Sequence, residues 1–374
     1  MQPRSLRANQ ISGPFLLMKL GQIVALILAA AIGAAAQSAR VKASPSPTPN
    51  PNLRPSIIFI PPIHSTSTRP LPSTTSTPVS KNNDDPEVIK IESALVPIPV
   101  SVIDGQGRFI RDLKLEDFQL KVDGKLVEIS EVSRSESPVR LAMIFDNSSS
   151  VLVAREFEKN AAVKFFRRVV RPDRDLAALF SVADRTQLEQ PLTRDVSLLV
   201  RAIEGFAQPE GATALLDGII RVADYLGEVE GRRVMVIVSD GEDTISDLET
   251  TLEKVVRRLQ LANCQVYVVK TKDFENFKRT GVRQGNANIR VLDAERRMQE
   301  IAAQTGGWVY SPLDERELDV AFTNIVAELS DQYILSYYPE SDNDKGGEFR
   351  NITVMVKRPN VNVRTRKGYY VPKK

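Results

Sequence analysis

The chain of 374 residues contains only one cysteine and one histidine. The single cysteine, Cys264, permits no intrachain disulfide bond and no cysteine-based zinc or iron–sulfur site. The histidine, His64, lies in a stretch of proline, serine and threonine, which argues against a folded Ser-His-Asp or Cys-His catalytic group and against a histidine-ligated zinc centre. Any metal that this chain binds should therefore be held by oxygen atoms.

A strong positive charge is also lacking. The formal net charge is +3, and residues 1–41 contain four basic residues and no acidic residue. The remainder of the chain therefore carries a net charge of about −1. This is not the charge pattern of a nucleic-acid-binding protein, and we expect no nucleic-acid partner.

The first 36 residues have the pattern of an export signal. Lys19 precedes a run of 14 small and apolar residues, Ile23–Ala36, which is short for a membrane span but fits a signal peptide. The run ends in a small-residue cleavage pattern. We predict a signal peptide or an uncleaved anchor at residues 1–36, and in the second case this segment would be the only membrane contact. Either form predicts a periplasmic, outer-envelope or secreted bacterial protein.

A second segment lacks the apolar residues that a core needs. Eleven of the 23 prolines fall between Pro45 and Pro86, among many serines, threonines and asparagines. Such a composition cannot bury enough apolar surface to offset the entropy cost of ordering. We predict that residues 37–85 form a disordered linker.

The remaining sequence predicts three consecutive segments. Residues 86–137 alternate apolar and polar residues as strands do. In residues 138–331, very apolar strands such as Val139–Phe145 alternate with stretches of helical period, which predicts a doubly wound, mostly parallel α/β sheet. Residues 332–374 return to a strand pattern. We predict that the two flanking segments pack together as one small antiparallel β unit.

Polar residues follow two of the predicted parallel strands. The first strand leads into residues 146–150, the second into residues 239–243, and a Gly-x-Thr loop lies between them in sequence. Open α/β sheets bind ligands at the carboxyl ends of their strands, and carboxylate and hydroxyl oxygens suit Mg²⁺ or Mn²⁺. Each signal alone is weak, because a serine-rich turn before a helix is more often an N-cap. Their order and shared edge predict a metal site, and its predicted ligands are Asp146, Ser148, Ser150, Thr213 and Asp240.

This predicted metal site resembles the metal-ion-dependent adhesion site of von Willebrand factor type A (VWA) domains. The resemblance implies that Ser148, Ser150 and Thr213 contact the metal, whereas Asp146 and Asp240 act directly or through water. It also implies a non-enzymatic binding protein whose protein partner supplies an Asp or Glu carboxylate to the metal.

The flanks sharpen this resemblance. The stretches QYILSYYP at residues 332–339 and FRNITVMVKRP at residues 349–359 are similar to an exported VWA-related group abundant in acidobacteria. With these flanks the resemblance covers nearly everything after residue 86, and it implies the architecture of the chain more than its function. The pattern departs from the family at Asn147, where a small apolar or aromatic residue is frequent, and we expect Asn147 to alter the loop surface only.

Two other functions stay open. The chain could be a scaffold subunit of an envelope complex in which the metal is only structural. A Mg²⁺-dependent hydrolase is the weaker alternative, because Asp146 is not followed by an x-Asp pair and the chain has neither a Gly-x-Ser-x-Gly elbow nor a P-loop.

Two charged features near the predicted metal site also have two interpretations. Residues 272–290 form a polar insert with a net charge of +3 that either steers acidic ligands or is only a solvated loop. Glu242 and Asp243 could bind a second cation, but we favour a role as negative charges at a helix N-terminus.

Overall fold

The computed structural model describes most of the chain after the predicted linker. The predicted signal segment and linker, residues 1–36 and 37–85, lie outside the described residues. None of the described helices is long and apolar enough to cross a lipid bilayer. The described residues are 95–134, 137–151, 154–282, 288–339 and 346–371.

These ranges contain strands and helices in mixed order. The strands are β1 (Val96–Asp104), β2 (Phe118–Val122), β3 (Lys125–Val127), β4 (Glu131–Arg134), β5 (Val139–Asp146), β6 (Leu176–Val182), β7 (Thr186–Thr193), β8 (Arg232–Ser239), β9 (Cys264–Lys270), β10 (Val309–Tyr310), β11 (Tyr333–Tyr337), β12 (Phe349–Val356), β13 (Val361–Thr365) and β14 (Gly368–Tyr370). The helices are α1 (Arg155–Val169), α2 (Val196–Glu204), α3 (Leu215–Gly227), α4 (Leu252–Leu261), α5 (Lys272–Thr280), α6 (Ile289–Thr305) and α7 (Glu315–Asp331).

The central sheet has six strands in the order β10-β9-β8-β5-β6-β7. All neighbours are parallel except β7, which runs antiparallel to β6 at the edge. This confirms the predicted doubly wound, mostly parallel sheet. Strand β7 was not predicted, because its sequence TQLEQPLT is polar and contains a proline, and both features suit an edge strand.

Helices cover both faces of this sheet. On one face, α1, α2 and α7 bury Phe165, Leu199 and Phe322 against the strands. On the other face, α3, α4 and α6 form a second core with residues such as Ile219 and Met298. Because both faces are covered, the central strands are apolar throughout, as their sequences predict.

The strand order reverses between β5 and β8. The chain passes from β5 to β6 on one side, then returns to place β8 on the other side of β5. Connections that leave two adjacent parallel strands in opposite directions open a crevice at their carboxyl ends. Residues that follow β5 and β8 are therefore placed where this fold class binds ligands.

Two four-stranded antiparallel sheets form the β unit beside the α/β part, in the orders β13-β1-β11-β4 and β14-β12-β2-β3. Both sheets combine strands from the two flanks, since β1 pairs with β11 and β13, and β2 pairs with β12. A separate core that includes Ile98, Leu120, Leu335 and Ile352 fills the space between the sheets.

A buried ion pair ties α7 to this β unit. Glu328 is fully buried, and its carboxylate accepts a hydrogen bond of 2.6 Å from Ser101 in β1. Its second oxygen lies 3.1 Å from a guanidinium nitrogen of Arg364 in β13. Burial raises the pKa of Glu328, and the Arg364 charge opposes that rise. The carboxyl end of α7 is thus fixed by charge as well as by packing.

Arg364→Met should destabilise the protein by about 3–5 kcal/mol, because it removes the ion-pair partner of a buried carboxylate. The matched control is Lys164→Met, which breaks the exposed pair between Lys164 in α1 and Asp319 in α7. Exposed pairs contribute at most about 1 kcal/mol. Urea unfolding measures both changes, and equal losses in the two variants would contradict the role assigned to Arg364.

Candidate metal centre

The predicted metal ligands lie on three loops at the carboxyl edge of the sheet. Asp146 ends β5, Asp240 follows β8, and the Thr213 loop precedes α3. Asp146, Ser148, Thr213 and Asp240 are buried, whereas Ser150 is exposed. The strand register pairs Phe145 with Val238, which brings Asp146 beside Ser239 and close to Asp240.

Asp146 is fully buried and held on both oxygens. One oxygen accepts the Ser148 backbone N–H at 2.9 Å, and the other accepts the Ser239 hydroxyl at 2.6 Å. Burial, reinforced by repulsion from Asp240, raises the pKa of Asp146 to about 6 despite these hydrogen bonds. A positive charge at this position would favour the ionised carboxylate and offset the repulsion.

The serine hydroxyls of the first loop divide into two groups. Ser148 Oγ and Ser150 Oγ lie 3.0 Å apart, beside Asp146. The Ser149 hydroxyl instead donates to the carbonyl of Gly211 at 3.0 Å. Alternate residues of the loop therefore have different roles, since Ser148 and Ser150 present paired oxygens and Ser149 binds the neighbouring loop.

Asn147 does not lie on the loop surface as expected. It is buried, its side-chain oxygen accepts a hydrogen bond from Arg155, and its backbone N–H donates to Val182 at 2.8 Å. Arg155 also donates to the Ala207 carbonyl. The asparagine thus anchors the loop to the start of α1, a role that an apolar side chain at this position could not perform.

The Thr213 loop depends on a glycine. Gly211 has a φ of +79°, and a Cβ there would lie 2.4 Å from an Asp184 carboxylate oxygen. The same oxygen accepts the Ala212 N–H at 2.6 Å. The Thr213 carbonyl accepts the backbone N–H of Thr244 at 2.8 Å, which ties this loop to the one after Asp240.

Asp240 pairs with a lysine that begins α5. Lys272 Nζ lies 3.3 Å from Asp240 Oδ2 and 2.9 Å from Glu242 Oε1. The polar insert at residues 272–290 is therefore not simply a solvated loop, because residues 272–280 form a helix with Phe274 and Glu275 buried. Residues 283–287 lie outside the described part. The sequence analysis did not predict the contact between Lys272 and Asp240. The position of Lys272 shortly after β9, at the carboxyl edge of the sheet, could have indicated it.

Glu242 and Asp243 separate into two roles. Glu242 pairs with Lys272, whereas Asp243 accepts the Leu216 N–H at 3.1 Å and the Ser246 hydroxyl at 2.6 Å. Because Leu216 lies in the first turn of α3, Asp243 supplies a negative charge at a helix N-terminus. The helix is α3, across the crevice, rather than the next helix in sequence.

The residues present fit an oxygen-bound divalent cation. Within the described ranges, no three His, Cys, Asp or Glu side chains are arranged to hold a metal. A metal at this edge would therefore be bound by a mixture of carboxylate and hydroxyl oxygens. Two neighbouring buried carboxylates with adjacent hydroxyls match what Mg²⁺ and Mn²⁺ prefer.

Residues 141–321 match the family model of the von Willebrand factor type A domain. The match identifies a VWA domain within this part of the chain, in agreement with the sheet order and helix placement described above. No curated protein matches the chain in sequence.

Three solved structures illustrate the range of similar proteins, and all have low sequence identity. BatB from Bacteroides thetaiotaomicron, described as a conserved hypothetical protein, is 17% identical over 51% of this chain and 98% of its own, with a TM-score of 0.39. The vWF domain of the type V pili tip protein Mfa5 from Porphyromonas gingivalis is 11% identical over 50% and 94%, with a TM-score of 0.39. The PilB minor pilin from Streptococcus sanguinis is 12% identical, with a TM-score of 0.40; the match covers 52% of this chain and 61% of the pilin.

The raised pKa of Asp146 predicts a pH dependence in the metal-free protein. The folded state binds this proton more tightly than the unfolded chain, so the free energy of unfolding should fall as pH rises through about 6. Between about pH 5 and pH 7.5 the loss from this group is roughly 1.4 kcal/mol. Asp146→Asn should lack this component, and urea unfolding in EDTA at the two pH values measures the difference. If the free energy of unfolding changes equally with pH in wild type and variant, the raised pKa does not belong to Asp146.

Proposed function

We propose that this chain is an exported, non-enzymatic binding protein of the bacterial envelope that recognises a carboxylate on a protein partner through a divalent metal. The observation that supports the proposal most directly is the close burial of Asp146 and Asp240 beside the hydroxyls of Ser148 and Ser150. This group lies at the reversal of strand order, where the fold opens a crevice.

The five predicted ligands would bind the metal in different ways. Ser148, Ser150 and Thr213 would hold Mg²⁺ or Mn²⁺ through neutral oxygens, and Asp146 and Asp240 would act directly or through water. A bound ion would supply a positively charged coordination position for the incoming carboxylate. Neutral hydroxyl ligands leave more of that charge uncompensated than carboxylate ligands do, which favours an anionic partner group.

The geometry gives little support for a hydrolase. Asp146 is fully buried with both oxygens engaged, so it is not presented as a nucleophile. The described residues include no histidine to serve as a general base. Recognition without catalysis is the function that this arrangement supports best.

A scaffold with a purely structural metal is the second candidate. Its metal would be needed to hold the loops in place. However, direct hydrogen bonds already join the three loops, from Ser149 to Gly211 and from Thr244 to Thr213. This favours recognition over a structural role.

Metal binding should depend on alternate serines of the first loop. In calorimetric titration of the full-length chain, Ser148→Ala/Ser150→Ala should weaken Mn²⁺ binding at the metal site by about 10- to 100-fold or more. Ser149→Ala is the matched control, because its hydroxyl bonds the Gly211 carbonyl and should leave the affinity nearly unchanged. Equal losses in both variants would contradict the assigned ligands.

Carboxylate recognition is tested with displayed random peptides, panned on the full-length chain in Mn²⁺ and eluted with EDTA. Enriched peptides should contain Asp or Glu, and their Asn or Gln counterparts should not bind. Binding that survives EDTA, or enriched peptides without a carboxylate, would overturn the proposed recognition. If Mn²⁺ binding instead stabilises the fold while no metal-dependent peptide is recovered, the scaffold function replaces it.

A further inference from the structure

Two buried glutamates near the predicted metal site have no role in the function proposed above. Glu158 lies in α1 and is 1% exposed, and Glu275 lies in α5 and is 8% exposed. Neither forms an ion pair with any described residue. A buried ionised carboxylate is costly unless a cation or several hydrogen bonds compensate for lost hydration.

The two glutamates are brought together where α1 meets α5. The preceding residues, Phe157 and Phe274, pack with their ring centroids 5.7 Å apart. The strongest charge repulsion on Glu158 comes from Glu275. Thr271, directly before α5, places its hydroxyl beside the Glu158 carboxyl, and its backbone N–H donates to the Ser239 carbonyl at 3.0 Å.

Each of these three side chains has an oxygen without a hydrogen-bond partner among the described residues. The atoms are Glu158 Oε1, Glu275 Oε1 and Thr271 Oγ1, and all three are inaccessible to solvent. Thr271 is 1% exposed, so water does not satisfy its hydroxyl from the surface. Buried polar atoms in native proteins are nearly always paired, and orphaned oxygens on three neighbouring side chains favour a bound cation here.

The neighbouring basic side chains are engaged elsewhere. Lys272 pairs with Asp240 and Glu242, and Lys278 pairs with Glu315. Arg155 donates to Asn147 and to the Ala207 carbonyl, and Arg279 donates to Asn276. Lys272 and Arg279 oppose the rise in the pKa of Glu275, and Arg155 interacts with Glu158, but none of these residues forms an ion pair with either glutamate.

We infer that Glu158, Thr271 and Glu275 form a second divalent-cation site, separate from the metal site that binds the partner. Two carboxylates and a hydroxyl are hard oxygen ligands, which select Mg²⁺ or Mn²⁺ over softer metals. A cation here would remove the repulsion between the glutamates and engage the orphaned oxygens. Because Thr271 bonds to the residue before Asp240, this site would also brace the loop that carries Asp240.

The protonation behaviour of the pair supports the inference. Burial, with repulsion from Asp240, raises the pKa of Glu275 to about 8, and burial with repulsion from Glu275 raises that of Glu158 well above its ordinary value. A cation bound here would oppose both shifts, because a positive charge favours the ionised carboxylates.

The test is Mn²⁺ titration of the full-length chain, with stoichiometry as the readout. The wild-type protein should bind two ions. The double variant Glu158→Gln/Glu275→Gln should bind one ion. The double variant Ser148→Ala/Ser150→Ala should also bind only one ion at high affinity. Glutamine keeps the shape of the side chain, and the metal-free Gln variant should melt no lower than wild type because a neutral amide is cheaper to bury.

The outcomes separate this site from the proposed function. One ion in wild type, lost in the serine variant and kept in the glutamine variant, would overturn the second site and leave the recognition proposal standing. One ion in wild type that the serine variant keeps and the glutamine variant loses would support the second site and overturn the first. No saturable binding would overturn both the second site and the proposed metal-dependent recognition.

Discussion

The close burial of two carboxylates, Asp146 and Asp240, is the constraint on which the rest of the structure depends. They follow adjacent parallel strands, so the fold itself brings like charges together in a region of low dielectric. Neighbouring hydrogen bonds and an ion pair reduce the repulsion between the two carboxylates but do not remove it. Ser148 and Ser239 hydrogen-bond to Asp146, and Lys272 pairs with Asp240. What remains is an edge of the sheet where we propose that a bound cation adds stability.

The rest of the molecule makes that edge rigid. The central strands are covered on both faces, and α7, which closes one face, is tied to the β unit through Glu328, Ser101 and Arg364. The three loops are joined to one another by hydrogen bonds between described residues. Rigid placement lowers the conformational cost of binding, because little has to be ordered when a ligand arrives.

The architecture could be predicted because it depends on local patterns. Runs such as Val139–Phe145 indicate strands buried on both faces, and the order of the polar clusters placed five residues at one edge. Features that depend on contacts between residues far apart in the chain could not be predicted from the sequence. The burial of Asn147 depends on Arg155 in the next helix, and the meeting of Glu158 with Glu275 arises only when α1 packs on α5. Helix α5 was missed because its few apolar residues are separated by charged ones.

A crystal structure of the full-length chain grown in Mn²⁺, with anomalous diffraction data, tests the central claim most directly. The account predicts an anomalous peak within coordination distance of Ser148 Oγ and Ser150 Oγ, with Thr213 and the two aspartates around it. If this edge of the sheet holds no peak at saturating Mn²⁺, and Lys272 still pairs with Asp240, then the lysine is the only cation that this group of carboxylates requires, and the metal-dependent account is wrong.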